Sequence, residues 1–211
     1  MFTGIVQGTR NISLVSDIEG GRRLRIQLND LSENLKIGAS IAINGVCLTT
    51  VKISNGWAEF DVIQETLIRS DLGALRLGDS VNVERACSFG DEVGGHNVSG
   101  HVDCIGIIKQ INKSPNNCDV VVSCDKKWIY YLIPKGWVTV DGVSLTVVDC
   151  GDTWFTFSLI PETLKQTILG HKTEGKKVNL EFDNTVKVIV HTIKRMMPEI
   201  KENIMSNFKK G

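Results

Sequence analysis

Short runs with apolar side chains at alternate positions recur along most of the chain. Leu24-Arg25-Ile26-Gln27-Leu28, Ser40-Ile41-Ala42-Ile43, Ser80-Val81-Asn82-Val83-Glu84 and Val178-Asn179-Leu180-Glu181-Phe182 are the clearest. A period of two predicts strands with one buried face. Asn44-Gly45 and Asp141-Gly142 each join two apolar runs, and such dipeptides favour tight hairpin turns. Short helical turns are expected after Glu65-Thr66-Leu67 and Glu162-Thr163-Leu164. The period changes near the end. From Thr185 to Lys209 there is no Gly, and apolar residues fall at Val186, Ile189, Ile193, Met196, Ile200 and Ile204, with Phe208 beyond. Spacing by threes and fours predicts a helix with one apolar stripe. Pro198 removes a backbone donor there and is expected to kink or restart it.

The strand-rich part is written twice. Asn44-Gly45-Val46-Cys47-Leu48-Thr49 returns as Asp141-Gly142-Val143-Ser144-Leu145-Thr146, an offset of 97. At the same offset Ile63-Gln64-Glu65-Thr66-Leu67 meets Ile160-Pro161-Glu162-Thr163-Leu164, and Val81-Asn82-Val83-Glu84 meets Val178-Asn179-Leu180-Glu181. A weaker echo pairs Gly4-Ile5-Val6 with Gly100-His101-Val102. A repeat this long is a small domain rather than a solenoid unit. The chain is therefore expected to be all-β, with units over residues 1–93 and 94–185 and a helix over 186–211. Several short strands per unit suit a small barrel, although periodicity alone does not separate barrel from sandwich. The glycines and acids between Cys87 and His96 read as the linker. The helix has no counterpart in the first unit, which makes a second subunit its expected partner.

Composition removes several function classes. Lys plus Arg and Asp plus Glu are balanced at 24 each, so no electrostatic footprint for nucleic acid exists. No apolar stretch approaches the length of a membrane span. The first residues lack the cationic and apolar regions of a signal peptide, so a cytoplasmic protein is expected. The six Cys form no C-x-x-C pair, which argues against zinc, and no metal is expected.

Met1-Phe2-Thr3-Gly4-Ile5-Val6, the Asn-Gly-x-Cys-Leu-Thr element at 44–49, Gly94-Gly95-His96 followed by Ser99-Gly100-His101, Asp141-Gly142-x-Ser144-Leu145-Thr146 and Ile160-Pro161-Glu162-Thr163 occur in a duplicated chain. Together they closely resemble riboflavin synthase of the α-chain type. The resemblance implies two six-stranded Greek-key barrels and a C-terminal helix that gathers three subunits. It further implies one 6,7-dimethyl-8-ribityllumazine per barrel and transfer of a four-carbon unit between two lumazines. The products are riboflavin and 5-amino-6-ribitylamino-uracil, no metal or organic cofactor is used, and lumazine synthase is a candidate partner. Non-catalytic lumazine proteins share the fold and supply the alternative, a ligand-holding antenna. A flavin reductase would need a nicotinamide domain with a Gly-rich turn, which nothing here supplies.

Two identical substrates should be gripped by residues common to both copies, whereas a donor and an acceptor need residues that differ. The shared set is Thr49 with Thr146, Thr66 with Thr163, Glu65 with Glu162, and Ile63 with Ile160 for the flat ring. By resemblance Ser144, Thr146, Ile160 and Thr163 map onto ligand contacts, with Thr49, Ile63 and Thr66 as first-copy equivalents. Each hydroxyl could equally stabilise its own turn. The unshared set is Cys47 against Ser144, Asp183 against Ala86, Lys135 against Gly38, Ser40 against Trp137 and His101 against Ile5. Cys47 stands at the family's reactive cysteine and could add to the acceptor ring or hold a water that does. Asp183 suits a carboxylate at a barrel rim or a turn before Asn184, and His101 a proton shuttle or a structurally satisfied strand histidine. Lys135 could stabilise an anion and bind substrate, or simply be solvated before a turn. Ser40 and Phe2 are carried over from the family. The presence of Cys47, Asp183, Lys135, His101 and Thr146 favours the enzyme over the antenna.

Overall fold

The computed structural model describes residues 1–208, so Lys209 and the last residues of the expected 186–211 segment lie outside it. Six strands, β1 (Gly8–Ile18), β2 (Gly21–Gln27), β3 (Ser40–Ile43), β4 (Val46–Ser54), β5 (Trp57–Ile63) and β6 (Ser80–Arg85), close into a barrel. Their order around it is β1-β2-β5-β4-β3-β6. The second copy repeats this with β7 (Cys104–Lys113), β8 (Cys118–Ser123), β9 (Trp137–Val140), β10 (Val143–Thr146), β11 (Asp149–Cys150), β12 (Trp154–Leu159) and β13 (Lys177–Phe182). They form one curled sheet in the order β10-β9-β13-β7-β8-β12-β11, whose two outer strands are successive in the chain. Together β10 and β11 are the counterpart of β4. The break between them falls where β4 shifts register, between Thr50 and Lys52. The expected all-β, two-copy architecture is observed.

Alternation explains the cores. Leu24, Ile26, Ile41, Ile43, Phe60 and Val83 point inward in the first copy; Val120, Val122, Val138, Phe155, Phe157 and Leu180 do so in the second. At the hairpins, Asn44 and Gly45 have φ of 46° and 79°, and Asp141 and Gly142 have 48° and 83°. Two successive positive φ values make the turn whose twist matches the strands it joins. Short helices α1 (Gln64–Arg69) and α3 (Pro161–Gln166) include the Glu-Thr-Leu triplets rather than following them, because Ile63 and Ile160 are already the residues before the first turn. One turn of helix, α2 (Lys126–Ile129), precedes β9.

The two copies meet turn against turn. A Cβ on Gly45 would lie 2.6 Å from Gly142 N, and one on Gly142 would lie 2.8 Å from Gly45 N, so neither position admits a side chain. Asn82 Nδ2 donates to the Asp141 carbonyl at 2.8 Å, and Asn179 Nδ2 donates to the Asn44 carbonyl at 2.9 Å. These reciprocal contacts give the pair an approximate twofold relation. It is broken by charge. Lys172 Nζ lies 2.7 Å from the fully buried Asp141 carboxylate and 3.7 Å from Asp71, where the first copy has Leu75 and Asn44.

The terminal helix, α4 (Asn184–Phe208), runs through Pro198 without ending, so the expected restart does not occur; one missing donor interrupts one bond of a long ladder. Its foot is tied down by Lys187 on Asp103 at 2.9 Å, and Lys194 lies over the Tyr130 ring at 4.8 Å. The stripe of Ile189, Ile193, Met196 and Ile200 is exposed in the single chain. Among the described residues no helix is long and apolar enough to cross a membrane.

Candidate functional site

The outward face of β4 carries Cys47 and Thr49, while Val46, Leu48 and Thr50 point into the barrel. Ser40 faces Thr49 across the β3–β4 ladder. On the second copy Ser144 and Thr146 occupy the same outward positions of β10, and Trp137 faces Thr146. Ile63 and Ile160, just before α1 and α3, are exposed apolar side chains at 63% and 59%; Thr66 and Thr163 follow in the first helical turns. Each copy therefore presents an apolar residue and hydroxyls on the outside of its barrel, beside a short helix.

Each outward strand is covered by a segment from the other half of the chain. Gly100 O accepts from Cys47 N at 2.8 Å, and Gly4 O accepts from Ser144 N at 2.8 Å. A Cβ on Gly100 would sit 2.6 Å from Cys47 Cβ, and one on Gly4 the same distance from Ser144 Cβ. Both glycines have positive φ as well, so the close crossing and the backbone conformation each exclude a side chain. Buried carboxylates hold these arms. Glu84 accepts from Thr3 N, Thr3 Oγ1 and Gly4 N at 2.6, 2.9 and 3.1 Å. Glu181 accepts from Ser99 N, Ser99 Oγ and Gly100 N at 2.7, 2.6 and 2.9 Å. Burial pushes both carboxyls above the usual range, and the hydrogen bonds act against it. The arms are bridged by Phe2 and Val98, which exchange backbone hydrogen bonds at 2.8 and 3.0 Å.

Crossing of the arms brings His101 to the first copy. Cys47, Thr66 and His101 line one cavity of about 350 Å³, together with Glu65, Arg69, Asp103 and Trp128. That volume is within the range of small-molecule sites. Asp103 and Trp128 come from the second copy; the former is bound by Lys187 and the latter stacks on Phe182 with centroids 5.7 Å apart. Neither was read as a site residue, because a strand-start Asp and a lone Trp carry no signature.

Asp183, Lys135, Ser144, Thr146, Ile160 and Thr163 do not line that cavity; all belong to the second copy. Asp183 Oδ1 accepts from Thr185 N at 2.6 Å and Val186 N at 3.3 Å, so it caps α4. Lys135 is exposed beside the end of β10, its N donating to Val147 O at 2.8 Å. Its φ of 67° repeats the 87° of Gly38, a conformation that costs a residue with a Cβ about 1–2 kcal/mol. Phe2 is 1% exposed and packs with Ala42 and Val98 against Cys47 and Ala86. Its ring thus supports Cys47 from behind. Ser144, unlike Cys47, is held by an imidazole, with His96 Nδ1 2.6 Å from Ser144 Oγ.

The Lumazine binding domain model matches residues 3–86 and 99–183. The chain is 41% identical to riboflavin synthase of Escherichia coli (strain K12) over 98% of its length and 97% of the relative's. It is 39% identical to riboflavin synthase of Bacillus subtilis (strain 168), covering 87% of this chain and 85% of that one. The chain belongs to the riboflavin synthase family. Among solved structures, LumP complexed with riboflavin superposes with a TM-score of 0.81 at 26% identity, and LumP complexed with 6,7-dimethyl-8-(1′-D-ribityl) lumazine with 0.79 at 25%. Each covers 87% of this chain and the whole of the LumP chain. Family membership makes the chain an enzyme, and the two matched domains coincide with the two copies of the outward-facing Thr49 and Thr146 surface.

Proposed function

We propose that the chain converts two molecules of 6,7-dimethyl-8-ribityllumazine into riboflavin and 5-amino-6-ribitylamino-uracil, a transferase reaction requiring no metal or organic cofactor. The observation that carries this reading is the duplicated outward surface, Thr49, Ile63 and Thr66 against Thr146, Ile160 and Thr163, on a chain of the riboflavin synthase family. One ring rests on Ile63, another on Ile160, and the neighbouring hydroxyls and backbone amides address the pyrimidine edge. Cys47, opening into a cavity with His101, serves the acceptor ring or its water; Ser144, Lys135 and Asp183 lie on the second copy. Ser40 stands beside Thr49 and helps fix the ring.

The two copies of one chain are already packed through their Asn44-Gly45 and Asp141-Gly142 turns. A second lumazine must therefore arrive with a second subunit, the first copy of one facing the second copy of another. Three subunits gathered by α4 satisfy this, and the exposed Ile189, Ile193, Met196 and Ile200 stripe supports it. Orienting two reactants in this way is worth on the order of 7–11 kcal/mol. A cytoplasmic location fits such a biosynthetic enzyme, and lumazine synthase, which supplies the substrate, is its natural partner. Incubating the chain with lumazine alone should yield riboflavin and the pyrimidine in equal amounts. Binding without turnover would favour the antenna reading and overturn this one.

A further inference from the structure

The outward face of the second copy carries an indole for which the fold itself has little use. Trp137, the first residue of β9, is 50% exposed, although solvated strand faces are ordinarily polar. Its ring lies parallel to the imidazole of His96, with an interplanar angle of 3° and centroids 5.6 Å apart. That imidazole is buried and fixed. His96 N donates to Thr3 O at 3.1 Å, and the ring nitrogens lie 2.6 Å from Ser144 Oγ and 3.3 Å from Thr139 Oγ1. The backbone that carries it passes directly over Ser144, since a Cβ on Gly95 would lie 2.0 Å from Thr3 O and 3.0 Å from Ser144 Cβ. An indole with one face against a fixed ring and half its surface open presents its other face to solvent.

We propose that this open face of Trp137 is the stacking surface for the pteridine of the second copy, forming with the exposed Ile160 the floor on which the ring lies. The inference deepens the lumazine reading above and rests on it. Register places the indole at the site. Trp137 stands opposite Thr146 in the β9–β10 ladder, as Ser40 stands opposite Thr49 in the β3–β4 ladder. Directly opposed residues point to the same face, with Cβ atoms about 4.5–5.5 Å apart. A ring whose edge meets the Thr146 hydroxyl therefore also meets the indole. The indole is rich in electrons and the pteridine poor in them, and such rings attract one another in offset stacks. The isoalloxazine of the product offers the same kind of face. In the first copy Ser40 supplies a hydroxyl and no aromatic surface, so the two copies grip identical molecules unequally. The second copy fills first, and one lumazine is already seated when the other arrives.

Riboflavin titrated into the full-length protein is the probe. Binding should fall into two classes, the tighter one accompanied by a long-wavelength charge-transfer shoulder on the flavin spectrum. Trp137→Leu keeps apolar bulk without an aromatic face, and Trp137→Ser copies the first barrel. Both should weaken the tighter class by about tenfold, abolish the shoulder and raise KM for lumazine by a similar factor. Trp137→Phe should keep the affinity within about threefold and move the shoulder to shorter wavelength, because a phenyl ring is the poorer electron donor. Parental affinity in Trp137→Leu would mean that bulk alone matters. A loss of turnover with riboflavin affinity and spectrum unchanged would mean that the indole only props His96. Either result overturns the proposal, as does a parental protein that binds riboflavin with no shoulder, a measurement that depends on no variant's folding. A parental protein that shows the shoulder but makes no riboflavin from lumazine would instead refute the reaction and leave the stack in place.

Discussion

Replacing Lys172 by Leu, the residue the first copy has at Leu75, should destabilise the fold strongly, and Asp141→Asn should rescue it. Asp141 is wholly buried, its Oδ1 accepting from Asn179 N at 2.8 Å and its Oδ2 lying 2.7 Å from Lys172 Nζ. Without Lys172 the carboxylate keeps one backbone donor and faces Asp71. Removing one partner of a buried pair costs about 3–5 kcal/mol, whereas replacing both by neutral or apolar groups is often neutral or stabilising. In the first copy the equivalent places hold Asn44 and Leu75, so Asp141→Asn with Lys172→Leu rebuilds an arrangement the chain already tolerates. Lys172→Leu alone should lower Tm by about 2–4 °C per kcal/mol lost, and the double variant should melt at or above the parent. The sign with pH follows from burial, which raises the Asp141 pKa to about 6 despite Lys172. A folded pKa above the unfolded one gives stability that is complete below the unfolded value and lost as pH rises through the folded value. Removing the lysine raises that carboxyl further, so the penalty of Lys172→Leu should grow between about pH 5 and pH 8. Urea titrations of the four members of the cycle at both pH values test this. Additive losses, with the double variant at least as unstable as Lys172→Leu, would refute the reasoning.

Cys47→Ser keeps the small polar shape and should lower kcat by about tenfold or more while leaving lumazine affinity unchanged; parental turnover would exclude thiol-specific roles. Ending the chain after Val188 keeps Asp183 as a cap and Lys187 on Asp103 but removes the exposed stripe. Folded monomers with greatly reduced activity are expected by sedimentation, and an unchanged mass would refute assembly through α4. A fragment of residues 1–92 contains the whole first barrel and should fold and bind riboflavin, but it loses the arm that covers Cys47. Two fragments should pair with Gly4 of each in the place of Gly100, without turnover; a monomeric fragment or full-rate catalysis would contradict the crossing of the arms.

Most of the fold was legible because the repeat and the alternation agree. The offset of 97 carries β3 onto β9 and β6 onto β13 residue by residue, and the Asn44-Gly45 and Asp141-Gly142 turns stand where their φ preferences put them. The shared hydroxyls were legible for the same reason, being identical in both copies, Thr49 and Thr146 outward on β4 and β10 and Thr66 and Thr163 in the short helices that follow. What escaped was everything decided by contact across the copies. The echo of Gly4-Ile5-Val6 in Gly100-His101-Val102 was visible, but segments without periodicity do not announce where they dock. Glu84 and Glu181 were seen as repeated strand positions; that both are acids on buried strands was the signal that they hold something. His96 was read as linker because glycines precede it, although those glycines are there to let the backbone pass over Ser144.

Duplication gives this chain two equivalent surfaces, and the reaction requires them to be inequivalent. The departures from twofold symmetry are therefore the places to look for chemistry, and they divide into two kinds. The Asp141–Lys172 pair replaces Asn44 and Leu75 at the buried contact between copies, where it touches no outward residue of β4 or β10 and acts on stability. The exchange of Cys47 for Ser144 lies on the outward face and changes what a substrate meets. Around it the crossed arms deliver different imidazoles, an exposed His101 in the cavity of Cys47 and a buried His96 on Ser144. The same crossing that locks the copies together thus also makes them different, which a pair of separate barrels could not achieve.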